Sequence, residues 1–458
     1  MKKEEIMKKE EKSGFKKKRH SQGLPVINPH AAGIDVGDTQ YDVAISDGES
    51  GYETREYPSF TEDLAELVNW LKAEGITTVA IESTGVYWLN LYLMLEEAGI
   101  EPYLVNAKHA KNVTGRKKDD TDAIWLQKLH CCGLLQKSFQ PEGEIRVLRT
   151  YVRQRKNLIS IRSDSVRRMQ KALELMNIKI HTVISDILGK TGLQMLRAIL
   201  AGERDANELA KLKDGRIKAS EADLKKSLTG IWKDEYLFML KQAYDEYMFY
   251  QSQINECEGK IQQVLLSHAA QLLDGDITDL LPPPVRKKKP KKNEFSHNIL
   301  PLLVILAGVD ISQVDGISET SFLEVVSETG TDMSKWKNHK HFAAWLNVAP
   351  NTKITGGKII SSKMQKKKNH AGQTFRMAAN SLKNCKSPLG DYARKMRSRL
   401  GKRASNVASA HKLAKIVFVM LRDKVQYNPD TVRLAQKKWK EDRIAYLEKQ
   451  ITQLKKAC

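Results

Sequence analysis

The stretch that decides the fold is Gly33-Ile34-Asp35-Val36-Gly37-Asp38-Thr39, a short apolar run that carries one carboxylate and then turns. Two further apolar runs lead to acidic residues: Thr77–Ile81 to Glu82, and Pro102–Val105 to Asp119 and Asp122. Carboxylates at strand or helix ends would repel a polyanionic partner unless they held divalent metal between the protein and phosphate. The pattern therefore predicts a metal site for phosphate chemistry.

The composition of the chain is strongly basic. Its 458 residues contain 76 Lys plus Arg and 55 Asp plus Glu, a formal net charge of +21. This excess favours a nucleic-acid partner, although a protein with a basic surface and no such partner is the alternative. No apolar run approaches the roughly 20 residues that span a bilayer, and the N-terminus lacks the apolar core of a secretion signal. We therefore expect no membrane partner.

The cysteine pattern indicates a cytoplasmic protein. The five thiols, which form no CxxC pair and no zinc spacing, are Cys131, Cys132, Cys257, Cys385 and Cys458. We expect them to be reduced in a cytoplasmic protein.

The first domain is expected over residues 28–140. Tyr41, Val43 and Ile45 alternate with smaller or polar residues as in a strand. Three strands are followed by alternating helices and strands, and a helix begins near Thr121. This order predicts a mixed sheet covered by helices, the element order of an RNase H-like fold. Residues 1–27 are expected to be a disordered basic arm, which either touches a phosphate backbone or keeps the protein soluble.

The rest of the chain is expected to be mainly helical. Apolar residues recur at helical spacing over residues 141–281, which predicts long antiparallel helices or a coiled coil, with smaller helices inserted at about 186–230. Four further segments complete the predicted organisation: the coiled-coil region 141–281, a Pro/Lys linker 282–298, a compact helical domain 299–426 and a peripheral helical tail 427–458. The linker either follows a phosphate backbone or is simply solvated.

A turn in the last domain carries a hydroxyl group. Thr355-Gly356-Gly357-Lys358 lacks the upstream glycine and following Ser or Thr of a Walker loop, so by itself it predicts a hairpin turn. A hydroxyl on such a turn, with Lys358 beside it, is also a candidate nucleophile toward phosphorus. Upstream, residues 314–318 predict a turn between helices similar to a helix-hairpin-helix, which offers backbone N–H groups to phosphate.

Each acid alone would be an ordinary helix cap or surface residue. Four acids in this element order instead favour a site for two metal ions, formed by Asp35, Glu82, Asp119 and Asp122. Asp120 competes with Asp119 for the ligand role. Asp38 and Asp42 are weaker rivals nearby in the sequence.

Four motifs together resemble one family: Gly33–Gly37, Glu82–Gly85, Gly115–Ala123 and Gly356–Lys358. Over about residues 30–425 the chain resembles the DEDD transposases of the IS110 family, which are akin to the Piv DNA invertases. The resemblance implies a RuvC-like domain in which Asp35, Glu82, Asp119 and Asp122 bind Mg²⁺ or Mn²⁺. It also implies a coiled-coil middle and a C-terminal transposase domain.

The same resemblance implies a mechanism and partners. Family members carry a serine directly before the glycine turn, link it covalently to DNA, and are guided by a structured bridge RNA. It also implies a homo-oligomer, dimer to tetramer, in which the acids of one subunit act with the hydroxyl of another. This sequence departs from the pattern, because Thr355 stands where the family has serine. Ser361 and Ser362 are alternative nucleophiles, and a weakened or inactive copy is a further alternative.

Several lysines are expected to contact nucleic acid. They are Lys117, Lys118, Lys287, Lys288, Lys289, Lys358, Lys363, Lys366, Lys367 and Lys368. Taken together, the sequence predicts an insertion-sequence transposase and site-specific DNA recombinase at the nucleoid of a bacterium or archaeon. The alternatives are a RuvC-like structure-selective nuclease without a covalent intermediate and a catalytically silent nucleic-acid-binding protein.

Overall fold

The structure is a computed structural model that describes residues 25–48, 51–106, 121–141, 143–273, 275, 293–365 and 367–457. The chain forms two compact units, Met1–Gln140 and Pro141–Cys458. Within the described ranges, no helix is both long and apolar enough to cross a bilayer. The finer domain boundaries expected from the sequence stay predictions.

The first unit is built on a five-stranded sheet in the order β3-β2-β1-β4-β5. Antiparallel pairing joins β1 to β2 and β2 to β3, whereas β1, β4 and β5 run parallel. The strands are β1 (Ala31–Val36), β2 (Gln40–Ser46), β3 (Tyr52–Pro58), β4 (Thr78–Glu82) and β5 (Glu101–Val105). The helices are α1 (Thr61–Ala73), α2 (Trp88–Glu97) and α3 (Asp122–Cys131). This mixed sheet with helices confirms the predicted α/β class and is consistent with an RNase H-like domain.

The two faces of the sheet pack against different helices. Ile34, Ile81 and Leu104 lie in one core cluster with residues of α1 and α2. Ala80 and Val105 point to the other face, where they pack in a smaller cluster with α3. Because side chains alternate along a strand, this second face also receives the side chains of every second residue of β1 and β4.

A glycine allows α3 to lie directly on β1. A Cβ atom at Gly33 would stand 2.3 Å from the carbonyl oxygen of Ala123 and 2.3 Å from the nitrogen of Gln127. Any larger residue would therefore push the helix off the strand. The Gln127 side chain donates to the carbonyl of Ala31 at 3.2 Å, which fixes the helix along the strand. The Thr121 hydroxyl caps the helix by accepting from the Ile124 N–H at 3.3 Å, as expected for a helix starting near Thr121.

The second unit begins with two long antiparallel helices, α4 (Gly143–Leu175) and α9 (Asp234–Leu273). They confirm the expected pair of long antiparallel helices. Four short helices lie between them, and the last three fall within the predicted stretch of about 186–230: α5 (Ile180–Val183), α6 (Lys190–Leu200), α7 (Ala206–Lys211) and α8 (Glu221–Leu228). Their apolar faces meet the facing ends of α4 and α9 in one core cluster.

A buried ion pair fastens the two long helices to the chain that follows them. The Arg155 guanidinium donates to Glu258 at 2.6 Å, and both side chains are almost fully buried. Arg155 also donates to the carbonyl of Asn293 at 2.9 Å and lies 3.9 Å from the Phe295 ring centroid. The second Glu258 oxygen accepts from the Ser296 hydroxyl at 2.6 Å. Loss of either charged partner should cost about 3–5 kcal/mol, because the other charge would remain buried and unpaired.

The remainder of the second unit is helical apart from one hairpin. Its helices are α10 (Leu300–Ala307), α11 (Glu319–Thr329), α12 (His339–Trp345), α13 (His370–Ser381), α14 (Pro388–Asp423) and α15 (Pro429–Ala457). A 3-10 turn, Ile311–Gln313, precedes α11, and a second, Leu382–Asn384, follows α13. The hairpin consists of β6 (Lys353–Thr355) and β7 (Lys358–Ser361). This architecture confirms the expectation that this part of the chain is mainly helical. The similarity of residues 314–318 to a helix-hairpin-helix stays a prediction.

Two helix boundaries differ from the sequence-based expectation. Apolar periodicity predicts a helix from Asn406 to Leu421. The observed helix begins at Pro388, behind a Ser387 cap, and bends at Gly401, where φ is 74°. The sequence likewise predicts a helix from Thr374 to Leu382, whereas the observed helix begins at His370, with Asn369 as its cap. In both cases the missed turns carry few apolar residues, so helical periodicity gave no signal there.

Candidate active site and nucleic-acid surface

The first two predicted acids lie side by side near the C-terminal ends of two neighbouring strands, β1 and β4. Ile34 and Ile81 are Cα partners in the parallel pairing of β1 with β4. The next residue on each strand is Asp35 and Glu82, so the two carboxylates follow the same step of the ladder, on strands about 4.8 Å apart. Both residues point to the face covered by α3, because Gly33 and Ala80 do. Asp35 is half-buried and Glu82 is 7% exposed.

The third described acid, Asp122, begins α3. The helix runs opposite to β1, because Gln127 reaches Ala31 while Ala123 lies against Gly33. Its first turn is therefore directed toward the end of β1 that carries Asp35. A carboxylate in the first turn is favourable to the helix dipole.

The fourth predicted acid, Asp119, and its rival Asp120 lie outside the described residues, as do Lys117 and Lys118. Within the part of the chain that the structure describes, no three His, Cys, Asp or Glu side chains form a group able to hold a metal ion. The predicted tetrad therefore stays a prediction.

Asp42, which the sequence suggested only as a weaker candidate, lies close to this end of β1. Asp42 on β2 is the Cα partner of Asp35 in the antiparallel ladder. Directly opposed residues of an antiparallel pair share a face, so Asp42 points to the same side of the sheet as Asp35. It is half-buried and accepts from the Gln40 side chain at 2.9 Å. Only the strand register, which a single sequence does not give, raises its rank.

A buried histidine anchors the far end of α3. The His130 Nε2 atom lies 2.9 Å from the Thr78 hydroxyl, and its ring packs against Tyr103 at a tilt of 43°, with centroids 4.7 Å apart. Burial lowers the pKa of His130 from 6.5 to about 4. The imidazole is therefore neutral in the folded unit at neutral pH, and α3 with its N-terminal Asp122 is held to β4.

This burial predicts an acid-sensitive first unit. Below pH 6.5 the unfolded chain protonates His130 while the folded chain does not, so stability is complete above pH 6.5 and falls toward pH 4. Between pH 7 and pH 5 the loss should be about 2 kcal/mol, measured by urea unfolding followed through the exchange protection of α3. The variant His130→Gln should lose this pH dependence whatever its own stability. Equal protection of the wild-type helix at both pH values would contradict the prediction.

The hydroxyl predicted as nucleophile lies at the tip of the β6–β7 hairpin. Gly356 and Gly357 form its two-residue turn with φ values of 55° and 76°, which confirms the predicted hairpin turn. Two positive φ values define a type I′ turn, whose twist suits a tight hairpin. Thr355 and Lys358 are direct partners across the ladder, so the hydroxyl and the ammonium project from the same face. Both residues are exposed.

The alternative hydroxyls occupy other positions. Ser361 pairs with Lys353 at the base of the hairpin, and its hydroxyl accepts from the Lys363 N–H at 3.3 Å. Ser362 follows the strand and is exposed. Thr355 is therefore the hydroxyl nearest the turn among the three candidates.

The predicted nucleic-acid lysines divide into two groups. Lys358, Lys363, Lys367 and Lys368 are all exposed on or just after the hairpin. Lys287, Lys288, Lys289 and Lys366 lie outside the described residues. Among the described lysines, Lys358 is thus the one paired with Thr355, and the others follow the base of the hairpin.

A second basic surface was missed by the sequence analysis. It is the basic segment 391–403 of α14, whose exposed cations are Arg394, Lys395, Arg397, Arg399, Lys402 and Arg403. Arg394 pairs with Asp391 at 2.6 Å. Within the described chain, Lys395, Arg397 and Lys402 form no ion pair. The density of cations in residues 394–403 is the available sequence signal, but apolar periodicity predicts a helix only from residue 406 and so does not indicate a basic helical surface there.

Comparison with known families gives two matches. The model of IS110 DEDD transposases, described as a transposase, matches residues 32–178. The model described as "Transposase IS116/IS110/IS902 family" matches residues 310–394. The first range contains Asp35, Glu82 and Asp122, and the second contains the hairpin. No curated protein matches the chain.

These matches define the class as a DNA transposase, an enzyme. Together they cover about half of the chain and come from the same group of elements. The chain belongs to the IS110 family of transposases.

Proposed function

We propose that this transposase cuts and rejoins DNA with the four acids Asp35, Glu82, Asp119 and Asp122 and with the hydroxyl of Thr355. The observation that carries the proposal is the position of Asp35 and Glu82, each of which directly follows a member of the Ile34–Ile81 pair on adjacent strands. Two carboxylates on one face, in a chain of net charge +21, suit chemistry on a phosphate backbone. The Thr355–Lys358 pair supplies a hydroxyl and a cation at an exposed tip.

The acids suit a hard divalent cation. Asp35, Glu82 and Asp122 offer only carboxylate oxygens, the donors that Mg²⁺ and Mn²⁺ prefer. Such an ion, when bound, would stabilise negative charge on the phosphate and on the departing oxygen. Asp119 would complete the set, and Asp42 is a local rival.

The hydroxyl defines the proposed bond changes. The Thr355 oxygen loses its proton and forms a bond to phosphorus, while the bond from phosphorus to one sugar oxygen breaks and that oxygen takes up a proton. Lys358, on the same face, would attract the phosphate before attack. Rejoining reverses these changes with a different sugar hydroxyl, so the hydroxyl of Thr355 is restored.

The second candidate is a structure-selective nuclease that uses the acids alone. It is favoured by one observation, the threonine in place of serine, because its additional methyl crowds an attacking oxygen. The two candidates differ in one product. A transposase should leave the protein covalently attached to DNA on a denaturing gel, whereas a nuclease should leave cut DNA without attached protein.

The test uses the full chain with DNA that carries the ends of its own element. Incubation with Mg²⁺ should give the covalent species, and EDTA should prevent it. Cleavage with Mg²⁺ but without an adduct would establish the nuclease instead. Binding without cleavage under either condition would identify a catalytically silent binding protein.

The partners proposed with this function are DNA, a structured guide RNA and further copies of the chain. The family resemblance supports the RNA and the oligomer, and the basic surfaces suit both nucleic acids. Expression with the flanking DNA, followed by purification and sequencing of bound RNA, tests the guide. Light scattering of the same sample gives the oligomer number, expected between two and four. The proposed site of action is the bacterial or archaeal nucleoid.

The basic segment 391–403 should contribute to nucleic-acid binding. Replacing Lys395, Arg397 and Arg399 with glutamine removes three cations and keeps residues that favour helix. Affinity should fall, and the slope of log affinity against log salt should decrease by about 2 to 3, because each phosphate contact contributes about 0.9. The binding isotherm is measured between about 50 and 200 mM salt, the range over which this effect is large.

A matched variant controls for net charge. Neutralising Lys437, Arg443 and Lys449, three exposed cations of α15, changes the total charge by the same amount. If both triple variants change the slope equally, the effect reflects overall charge and the basic segment has no special role.

A further inference from the structure

We propose that Asn347 is a positioning residue that fixes the hairpin carrying Thr355, and this inference rests on the proposed role of that hydroxyl. The chain between α12 and α13, residues 348–368, leaves the helical core, forms the hairpin and returns. This stretch is called the excursion below. Both strands of the hairpin are exposed, so its orientation depends on how the base of the excursion is held.

Asn347 occupies a position where glycine is usual. Its φ is 54°, and its N–H donates to the Ala344 carbonyl at 3.0 Å, while the Val348 N–H donates to Ala343 at 3.0 Å. These two bonds form a Schellman motif at the end of α12, and the left-handed residue of that motif is most often glycine. Asparagine adopts this conformation at a small cost that glycine would avoid. The presence of a side chain at this position therefore requires a second reason.

The side chain closes the base of the excursion. Asn347 is 6% exposed, and its Nδ2 atom donates to the carbonyl of Gln365 at 3.0 Å and to the carbonyl of Lys367 at 2.9 Å. Because both partners are carbonyl oxygens, only a group with two N–H donors can serve both. A glycine would fit the backbone but would leave these bonds unmade.

The surrounding groups give this amide a fixed position. The Asn369 side chain donates to the Trp345 carbonyl at 3.1 Å, and Arg376 donates to the Asn347 carbonyl at 3.1 Å. A Cβ atom at Gly372 would lie 1.9 Å from the Leu346 carbonyl, so α13 lies directly against the end of α12. The amide of Asn347 therefore starts from a rigid junction and holds the last residues of the excursion to it.

The consequence for the reaction is orientation. A nucleophile is effective when its oxygen is held close to phosphorus and in line with the leaving group, and misplacement by about 1 Å can cost about 100-fold. Without the clamp, Thr355 and the lysines after the hairpin would sample more orientations. The loss should appear in the rate of attack and not in the affinity for DNA.

The test is Asn347→Gly, which suits the left-handed backbone conformation and removes the side-chain amide together with its Cβ. The melting temperature should remain within about 3 °C of wild type, and DNA affinity within about twofold. The single-turnover rate of adduct formation at saturating DNA should fall about 10- to 100-fold. The rate of adduct formation by Asn347→Asp should fall at least as far, because this variant directs a carboxylate at two carbonyl oxygens.

A local measurement separates this inference from the proposed nucleophile. Trypsin cleavage after Lys367 requires its carbonyl to leave the Asn347 amide, so both Asn347 variants should be cleaved there faster than wild type without DNA. If Thr355→Ala still forms the adduct, the proposed nucleophile is wrong, while faster cleavage still supports the clamp. Wild-type rates of both cleavage and adduct formation in Asn347→Gly would overturn the inference.

The control for general destabilisation is Asn338→Gly. The Asn338 side chain caps the other end of α12 by accepting from the Lys340 and His341 N–H groups, at 2.9 and 3.3 Å. Its loss weakens the same helix without removing a bond to the excursion. It should leave trypsin cleavage after Lys367 and the adduct rate near wild type, and an equal effect of both variants would overturn the positioning role.

Discussion

Asp35→Asn should abolish DNA cleavage and leave DNA binding within about twofold of wild type. The carboxylate follows Ile34 on β1, directly beside Glu82 of β4, where the proposed metal would contact the phosphate. An amide has nearly the same shape but one fewer charge-bearing oxygen, so the hard cation should bind poorly. Residues that only orient a metal ligand typically contribute about 10–100-fold, so loss of a ligand should exceed 100-fold. Cleavage and adduct are measured on one gel, and binding in EDTA.

Two further substitutions sharpen this experiment. Asp38→Asn makes the same charge change at an exposed residue in the loop after β1, and it should leave cleavage near wild type. Asp42→Asn tests the acid opposite Asp35. Cleavage by Asp35→Asn at the wild-type rate would reject the metal site, and loss with Asp42→Asn alone would assign the role to its neighbour.

Thr355→Ala should remove the covalent protein–DNA adduct, by at least about 1000-fold in rate, since loss of a nucleophile removes the reaction path itself. Thr355→Ser should keep or raise recombination, because serine offers the same hydroxyl without the methyl group that crowds in-line attack. Because Thr355 is exposed beside the type I′ turn, neither substitution should unfold the protein.

The alternative hydroxyls provide the matched controls. Ser361→Ala and Ser362→Ala remove hydroxyls from the same exposed strand region and should leave the adduct intact. If one of them removes it and Thr355→Ala does not, that serine is the nucleophile. Thr355→Val, which keeps the branched shape and lacks the hydroxyl, should behave like Thr355→Ala.

The first unit could be predicted largely from local signals. Strand alternation and the acids at the ends of apolar runs indicate the mixed sheet, and Thr121 marks the start of α3 because a threonine at that position caps a helix. The rank of Asp42 could not be predicted, since it depends on the register of β1 with β2. A shift by one residue would turn Asp42 to the opposite face.

The second unit shows where local signals fail. Residues 394–403 are too charged to display an apolar stripe, so the first half of α14 was missed, although Ser387 and Pro388 are start signals of the kind found at helix N-termini. The role of Asn347 depends on carbonyl groups 18 and 20 residues later. Such a contact exists only after α12 and α13 have packed, and therefore no window of sequence contains it.

The junction of α12 with α13 also has a consequence for how such a chain can diversify. Asn369 and Arg376 join the two helices without help from the hairpin, so the entry and exit points of the excursion are fixed by the core. Lengthening a loop whose ends are already held together costs little free energy, about 0.6 kcal/mol for each doubling. Insertions at the hairpin tip, or exchange of the whole hairpin with that of another transposase, should therefore leave folding of the helical domain intact, so this part of the protein can change its chemistry independently of its scaffold.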